Sequence, residues 1–406
     1  MQVARLAVRG LAVAAVALLA GCGTLLRNPV PPALAAEAEI PGLRDVRAWA
    51  GRPSAAMERD LALSFAQESS ADFPVGPDGV VHYAHLALSG GGANGAFGSG
   101  FLNGWTQTGK RPVFKIVTGV STGALMAPFA FLGPDYDDAL REFYTTTTSS
   151  DIFLVGSLVR IATRALTSDA LADSSPLASL IERHVDAAFV QRVAQAHAAG
   201  RRLYVGTVDL DSLRFVVWNM GLIASSGRPE AVALFRRVML ASSSIPIAFP
   251  PVFFEVVADG RAYDEMHVDG AVGARVFFSE GMFRPSVLRE RGRRDAHEGR
   301  EDIFIIHNGQ LFREPSPTRR TVPNIALRVL DATGRAGIIG DLFRIHTVAR
   351  AEGAAFNWVT IPDDVTIAPE QAFDPVSMQA LYDVGFALAQ RPDVWHTRPP
   401  GFLVID

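Results

Sequence analysis

The chain alternates short apolar runs that stop at glycines with longer segments of helical periodicity. His82 to Leu88 has the pattern of a buried strand and ends at the glycine-rich stretch from Ser89 to Gly95. Val113 to Thr118 is a second short apolar strand, and helices are predicted from about Ala96 to Thr108 and from Ala124 to Leu132. A strand, a helix and a second strand of this length predict a right-handed crossover between parallel neighbours in an α/β fold.

Other segments predict further elements to which we assign no chemistry. One helix is expected between Arg52 and Ser70. The apolar segment from Ile152 to Leu166 is either a core helix, which we favour, or a membrane-facing lid. The remaining predictions are a capped helix from Ser174-Ser175-Pro176 with an apolar stripe, a strand from Ile303 to His307, one or two helices from Asn324 to Ala351, and a helix from Met378 to Gln390.

The first residues have the pattern of an export signal. Two arginines precede the apolar stretch from Gly10 to Ala20, which is too short to span a bilayer. The run from Leu19 to Cys22 resembles a bacterial lipobox, so we expect residues 1–21 to be a lipoprotein signal peptide and Cys22 to be acylated. The alternative is an ordinary signal peptide with an incidental cysteine. Cys22 is the only cysteine, which excludes an internal disulfide.

A lipid anchor predicts a place in the bacterial cell envelope. Gly23 follows the cysteine where an aspartate would favour the inner membrane, so the periplasmic face of the outer membrane is favoured. Residues 22–80 are interpreted as an N-terminal tether and extension. The proline-rich part from Thr24 to Pro41 would be the tether that lets a globular body stand off the membrane.

Composition excludes several classes of protein. The 406 residues are 49% hydrophobic and 20% charged, the balance of a folded globular chain. Lysine and arginine number 38 against 42 acidic residues, and the net charge of −4 argues against a nucleic-acid partner. No group of histidine, cysteine and acidic residues has metal-ligand spacing, so we expect neither a metal nor a cofactor.

The glycine-rich stretch predicts an anion site. Glycines between a strand and a helix leave amide groups free of side chains beside a helix N-terminus. Gly90, Gly92 and Gly95 also match the dinucleotide-binding pattern, but that interpretation requires an acidic residue further along, and none occurs from Ala96 to Pro134. A phosphate-binding P-loop lacks its Gly-Lys-Ser/Thr ending, and a purely structural turn remains open.

The second strand ends in a candidate nucleophile. Gly119-Val120-Ser121-Thr122-Gly123 is a Gly-x-Ser-x-Gly sequence between a strand and a helix, the context in which a serine becomes a nucleophile elbow. The helix N-terminus favours negative charge developing at that position. One strand–helix–strand unit separates Ser121 from the glycine-rich stretch, so both are expected at the same edge of the sheet.

A nucleophilic serine needs a base, and the residues alone allow two kinds. One is a histidine oriented by a carboxylate, and late residues such as His346 or His396 would complete that order. The other is a carboxylate acting directly, for which Asp269 is the candidate because it ends an apolar strand and enters the Gly270-Ala271 turn. An Asp-Gly pair alone is only a turn signal.

Together these three motifs resemble the patatin-like phospholipases, serine lipid acyl hydrolases with a Ser-Asp dyad. Two other stretches agree, Gly206 to Asp211 and Ala241 to Pro251. The resemblance covers roughly Tyr83 to Ala274 and implies a three-layer α/β/α sandwich with a mainly parallel central sheet. It also implies a catalytic domain over residues 81–310 and a C-terminal helical extension, packed on that domain, over 311–406.

The resemblance implies a role for each motif residue. Ser121 would be the nucleophile, Asp269 the base, and the amides of Gly90, Gly91 and Gly92 the oxyanion hole. The supporting motif residues would be Gly95, Gly119, Gly123, Gly270 and Ala271.

The expected activity is hydrolysis of carboxylic esters in phospholipids or other lipids through an acyl-enzyme. The chain departs from the family where Asn94 replaces a basic residue and where Val272 to Arg275 replaces an Asn-Pro-rich stretch. Two alternatives are a Ser-His-Asp esterase and a catalytically silent lipid-binding lipoprotein. The expected partners are the lipid substrate and the anchoring membrane, and no protein partner is predicted.

Overall fold

The computed structural model describes residues 27–154, 170, 172–292, 297–312, 316–367 and 369–401. The predicted signal peptide, Cys22 and most of the segment from Ile152 to Leu166 lie outside these residues.

Within the described residues the chain forms one mixed sheet and helices on both of its faces. The strands are β1 (Arg47–Trp49), β2 (Val81–Leu88), β3 (Phe114–Val120), β4 (Arg202–Asp209), β5 (Arg214–Asn219), β6 (Val252–Ala258), β7 (Arg261–Asp269), β8 (Gly299–His307) and β9 (Ala355–Thr360). The helices are α1 (Ala55–Gln67), α2 (Gly95–Gln107), α3 (Thr122–Leu132), α4 (Asp137–Thr145), α5 (Ser149–Ile152), α6 (Ser175–His184), α7 (Ala187–Ala198), α8 (Met220–Ala224), α9 (Ala231–Ser242), α10 (Pro285–Gly292), α11 (Val322–Glu352) and α12 (Pro375–Ala389).

Five neighbouring strands, in the order β4-β3-β2-β8-β9, are parallel to one another. Their carboxyl ends share one edge, which we call the catalytic edge. The antiparallel strands β5 and β7 both pair with β4, β1 pairs with β5, and β6 pairs with β7. The predicted crossover is confirmed, because β2 and β3 are parallel neighbours and α2 connects them.

The sheet is the middle layer of three, as the resemblance implied. One face is covered by α2, α3, α4, α6, α7, α9 and α12, and the other by α1, α10 and α11. In β3, Phe114 and Val117 pack on the first side, whereas Ile116 and Val120 pack on the second. Every residue of β3 is buried, which explains why its sequence is continuously apolar rather than alternating.

Several element predictions are confirmed and others need correction. The helix predicted after Arg52 is α1, and the one or two helices predicted from Asn324 to Ala351 form the single helix α11. The expected cap of α6 is wrong, because the side chain of Ser174 makes no capping hydrogen bond, although Leu177, Leu180 and Ile181 form the predicted buried stripe. The segment from Ile152 to Leu166 was expected to be a core helix or a lid. Its first residue, Ile152, is described and is buried at the end of α5.

The proline-rich segment before β1 is packed on the domain instead of forming a loose tether. Arg27 forms ion pairs with Asp211 and Asp264, each at 2.6 Å, and the main chain bridges to Asp264 and Val257. Ala38, Ile40 and Leu43 are buried. The prediction of a stand-off tether from Thr24 to Pro41 is therefore wrong for residues 27–41, because prolines exclude a helix but not an extended packed segment.

The C-terminal extension contributes to the sheet as well as to the helical layers. β9 pairs with β8 from Asp302 to His307, so the extension is not wholly helical. The closest helix contact lies between α12 and α2, where glycines let the two backbones meet. Gly100 lies against the carbonyl of Tyr382, and Gly104 lies against that of Phe386.

Replacing Gly100 by alanine should destabilise the fold, because the added methyl group would overlap the Tyr382 carbonyl oxygen. We expect a loss of about 1–3 kcal/mol in the free energy of unfolding, measured by urea denaturation. The matched control is Gly340→Ala in α11, where no atom lies within 4 Å of the new methyl group. That change should raise stability by roughly 0.5–1 kcal/mol. Equal effects would contradict this account of the α2–α12 contact.

Candidate active site

Ser121 lies in a sharp turn between β3 and α3. Its φ is 56° and its ψ is −126°, a backbone conformation that only a tightly constrained non-glycine residue adopts. The turn is compact because Gly123 lies directly against the Leu88 carbonyl, where no side chain would fit. Ser121 is the N-cap of α3, an 11-residue helix, so its hydroxyl stands at the positive end of that helix dipole.

Asp269 reaches Ser121 because two strands share one edge of β4. β3 pairs with β4 as far as Val120, opposite Gly206. β5 occupies the opposite edge, so β7 must continue along the edge that β3 leaves, and it pairs Asp269 with Thr207. Since β7 runs towards the end of β3, its last residue meets the first residue after β3.

The two side chains are in direct contact. Ser121 Oγ donates a 2.7 Å hydrogen bond to Asp269 Oδ2, while the other carboxylate oxygen accepts the Ala271 amide at 2.8 Å. Asp269 is only 3% exposed. Burial raises the pKa of Asp269 to about 6, and the hydrogen bonds from Ser121 and Ala271 and the charge of Arg275 oppose this rise. The carboxylate is therefore ionised at neutral pH and still basic enough to accept a proton.

Three consecutive serines hold this arrangement together. Ser242 Oγ accepts the Ser121 amide at 3.0 Å and donates to the Gly206 carbonyl at 2.6 Å. Ser243 Oγ donates to the Ser121 carbonyl, and the Ser244 carbonyl accepts the Asp269 amide. In the sequence this stretch was noticed only because it resembles the family. In the structure its serines hydrogen-bond the backbones of both Ser121 and Asp269 and so form a clamp that holds the two residues in place.

The glycine-rich stretch lies beside Ser121, with one correction. A Cβ on Gly90 would be 3.2 Å from that of Ser121, so the two backbones are in close contact. The Gly90 amide, however, donates to the Arg275 carbonyl at 3.0 Å and has no hydrogen to offer a substrate. Gly90 is therefore removed from the expected set of oxyanion donors. Among the described residues, the amides of Gly91 and Gly92 have no protein acceptor.

The other motif glycines and Ala271 support this geometry. Gly95 begins α2 against the Thr122 and Tyr144 side chains, and Gly119 lies in β3 before the elbow. Gly270 packs on the Gly206 carbonyl, directly after Asp269.

Asn308 was not identified from the sequence, yet it fastens the glycine-rich stretch to the sheet. It follows β8 and is 1% exposed. Its amide nitrogen donates to the Ser89 carbonyl at 2.9 Å, its side-chain oxygen accepts the Gly98 amide at 3.1 Å, and its backbone amide donates to Ser89 Oγ. One side chain thus binds Ser89 at the start of the stretch and Gly98 in the first turn of the helix that follows it. No motif signals it, because the pairing of β8 with β2 brings it there from 219 residues away.

A largely apolar cavity opens beside Ser121. Its empty space, including the part that is open to solvent, is about 430 Å³, and none of the described residues that line it is charged. The apolar lining consists of Leu125, Phe143, Ile152, Leu177, Ile245, Phe249, Phe373 and Met378. The polar atoms converge at the Ser121 end, where Gly92, Thr122, Tyr144, Thr147 and Ser243 complete the wall.

The histidines of the described chain lie elsewhere. The rings of His346 and His396 contact Phe356 and Trp358, respectively. Among the described residues no histidine forms a hydrogen bond with Ser121 or Asp269. His267, the nearest in sequence, is buried and hydrogen-bonds Thr207 at 2.9 Å.

Comparison with known proteins identifies the domain. Residues 86–282 match the family model for patatin-like phospholipase. The chain therefore carries a patatin-like phospholipase domain, and the resemblance drawn from its three motifs is confirmed. The match supports a lipid acyl hydrolase domain. A search of the curated proteins found no significant match.

Three solved structures are similar at low identity. VipD from Legionella pneumophila is 12% identical with a TM-score of 0.38, over 78% of this chain and 69% of its own. Human GIVD cytosolic phospholipase A2 is 12% identical with a TM-score of 0.36, over 80% and 55%. The type III effector ExoU is 17% identical with a TM-score of 0.20, over 76% and 53%. The chain thus spans about half the length of the last two.

Asp269→Asn should stabilise the protein at high pH but not at low pH. Because the folded-state pKa of about 6 lies above the ordinary aspartate value of 3.8, the wild type loses stability as pH rises through this interval. Above it, the variant should gain up to about 3 kcal/mol in the free energy of unfolding, and below pH ~4 the gain should vanish. Urea unfolding at both pH values tests this, with Asp364→Asn at an exposed site as the control. A gain that does not change with pH would contradict the burial argument.

Asn308→Ala should lower kcat with little change in KM, since the glycine-rich stretch would lose its fastening while the cavity stays intact. We expect a loss of about tenfold to a hundredfold in ester hydrolysis. The matched control is Asn357→Ala on the neighbouring strand β9, where the side chain donates one long hydrogen bond of 3.4 Å to Ile303. A rise in KM at constant kcat would show that Asn308 acts on substrate binding instead.

Proposed function

We propose that this chain is a membrane-anchored serine hydrolase that cleaves carboxylic esters of phospholipids or other lipids through a Ser121–Asp269 dyad. The observation that carries the proposal is the 2.7 Å hydrogen bond from Ser121 Oγ to Asp269 Oδ2. A serine in a strained turn, hydrogen-bonded to a buried basic carboxylate, is the arrangement that an activated nucleophile requires.

The reaction has two acyl-transfer steps. Ser121 attacks the ester carbonyl while Asp269 accepts its proton, and the tetrahedral intermediate collapses to an acyl-enzyme as Asp269 passes that proton to the leaving oxygen, which departs as a neutral alcohol. Asp269 then takes a proton from water, which attacks the acyl-enzyme and releases the fatty acid. The amides of Gly91 and Gly92 have no acceptor among the described residues, and Gly92 lines the same cavity as Ser121, so both amides would bind the oxyanion, a contribution of ~3 kcal/mol per donor.

The cavity favours a fatty acyl chain over a polar group. Its described walls beyond Ser121 are leucine, isoleucine, phenylalanine and methionine side chains, and a lining without charged side chains would disfavour a headgroup inside it. A bound lipid would therefore place its acyl chain in the cavity and its headgroup towards the opening.

We propose further that Cys22 is acylated and holds the protein at the cell envelope, with the periplasmic face of the outer membrane favoured. The lipobox-like run from Leu19 to Cys22 supports this location.

Labelling with a fluorophosphonate tests the dyad in the full chain. Ser121→Ala should abolish labelling, and Asp269→Asn should slow it by at least about a hundredfold. His346→Ala and His396→Ala should label normally. The labelling rate of the wild type should rise with pH through about 6 and then level off, because only the ionised carboxylate accepts the proton.

Ser99→Ala, the same change at a buried serine in α2, serves as the control for folding. Loss of labelling with one histidine variant would favour a Ser-His-Asp esterase. A folded wild type that neither reacts nor releases fatty acid from phospholipid vesicles would be a lipid-binding protein, which would contradict the proposal.

A further inference from the structure

Helix α11 extends past the catalytic edge of the sheet. Its C-terminal end lies at the opposite edge, because β9 follows it and starts opposite Asp302 near the beginning of β8. In its middle, Asp341 accepts the backbone amides of Arg275 and Val276, and Gly334 lies against the Arg275 side chain. Arg275 in turn accepts the Gly90 amide. The 12 residues before Gly334 therefore project about 18 Å beyond the active-site turns.

The projecting half of α11 carries apolar side chains that are exposed in the described part of the chain. Val322, Ile325 and Val329 lie on one face of the helix, at i, i+3 and i+7, and are 81%, 49% and 55% exposed. Leu327 is also exposed, as is Phe312 in the segment that leads from β8 towards the helix. Exposed apolar groups in this number mark a surface that binds an apolar partner.

Further exposed apolar groups lie at the same edge, each within two residues of a cavity-lining residue or in the turns that follow β4 and β7. Ten of the fourteen large hydrophobic side chains that are exposed in the described part of the chain lie there. Those around the cavity and the neighbouring turns are Leu154, Leu213, Ile247, Val272 and Val376. Most of the large hydrophobic side chains that are exposed in the described part of the chain therefore lie at this one edge.

The charged side chains on and before the projecting half of α11 are mostly arginines, which favours an anionic partner. Arg319, Arg320, Arg328 and Arg335 lie on this part of the chain, whereas Asp331 is the one acidic residue described between residues 316 and 335. The whole chain has a net charge of −4, so this basic cluster is local. Apolar side chains flanked by arginines fit the surface of an anionic bilayer.

The start of the described chain lies at the same end. Arg27 is bound to Asp211, two residues beyond the end of β4 at the catalytic edge. Cys22 precedes Arg27 by five residues, which span at most about 18 Å when extended. Acylation of Cys22 would therefore place the anchor close to the exposed apolar groups.

We infer that the catalytic edge is a membrane-docking face, in which the projecting half of α11, Phe312 and the rim of the cavity contact an anionic lipid bilayer. The inference rests on the proposed lipid substrate and deepens it, since a lipid would move from the bilayer into the cavity without crossing water. Within the described residues no helix is long and apolar enough to cross a membrane, so α11 would dock at the surface.

The single native cysteine allows a direct test. In the full chain with Cys22→Ala, Ile325→Cys carries an environment-sensitive dye, and Val113→Cys carries it at the opposite edge of the sheet. On addition of phosphatidylcholine–phosphatidylglycerol vesicles, the dye at position 325 should brighten and shift to the blue, and the dye at 113 should not. Arg319→Gln with Arg320→Gln should raise the vesicle concentration at half-response roughly tenfold. The matched control is Arg59→Gln with Arg300→Gln, two exposed arginines away from this edge.

Other outcomes would overturn the inference. Equal dye responses at both positions, or no response at 325, would exclude this face as the docking surface. A dye response at position 325 that appears without vesicles when the protein concentration is raised, together with a dimer in sedimentation, would show that a second copy of the chain covers this face.

A separate readout distinguishes docking from hydrolysis. Ile325→Glu with Val329→Glu should lower the release of fatty acid from vesicles and leave hydrolysis of a water-soluble short-chain ester unchanged. The dye response requires no hydrolysis. A chain that gives the response but cleaves no ester would contradict the proposed function alone, and a chain that cleaves vesicle lipid equally well with and without both glutamates would contradict docking alone.

Discussion

One edge of β4 is shared by two strands that approach from opposite directions, and the contact between Ser121 and Asp269 depends on this sharing. β3 uses the edge up to Gly206, and β7 uses it from Thr207 onward. The end of one strand therefore faces the end of the other, and neither side chain has to reach across a loop. Backbone hydrogen bonds of the sheet, rather than side-chain packing alone, set the 2.7 Å separation.

Burial gives this contact its chemistry at some cost in stability. The desolvation that raises the pKa of Asp269 makes its carboxylate a better base, but it also disfavours the ionised folded state. Ser121 adds the strain of a positive φ. The hydrogen bonds that Ser121 makes with Ser242 and Ser243, and the one that Asp269 accepts from the Ala271 amide, offset part of both penalties. The serine clamp and the Ser121–Asp269 contact are therefore one cooperative hydrogen-bond network. A substitution in the clamp should change the geometry of that contact.

The sequence predicted the features that are formed by neighbouring residues. It did not predict the contacts that pairing of distant strands creates. Glycines next to apolar runs indicated the elbow and the glycine-rich stretch, because those signals lie within a few residues. Asn308 could not be found in this way, since only the pairing of β8 with β2 brings it to Ser89. The Gly90 amide was assigned wrongly for the same reason, because its acceptor is the carbonyl of Arg275, 185 residues away. The packed course of residues 27–41 was missed because its partners lie on β6 and β7.

The long sequence separation between Ser121 and Asp269 has a consequence for incompletely synthesised or incompletely folded chains. Ser121 and Asp269 are 148 residues apart, and the contact forms through the last residue of β7. A nascent or truncated chain that ends before this strand can contain the entire nucleophile elbow and still lack Asp269, the base of the proposed dyad. If the proposed function holds, reactivity towards ester bonds would therefore appear only after the distant strands have assembled into the sheet.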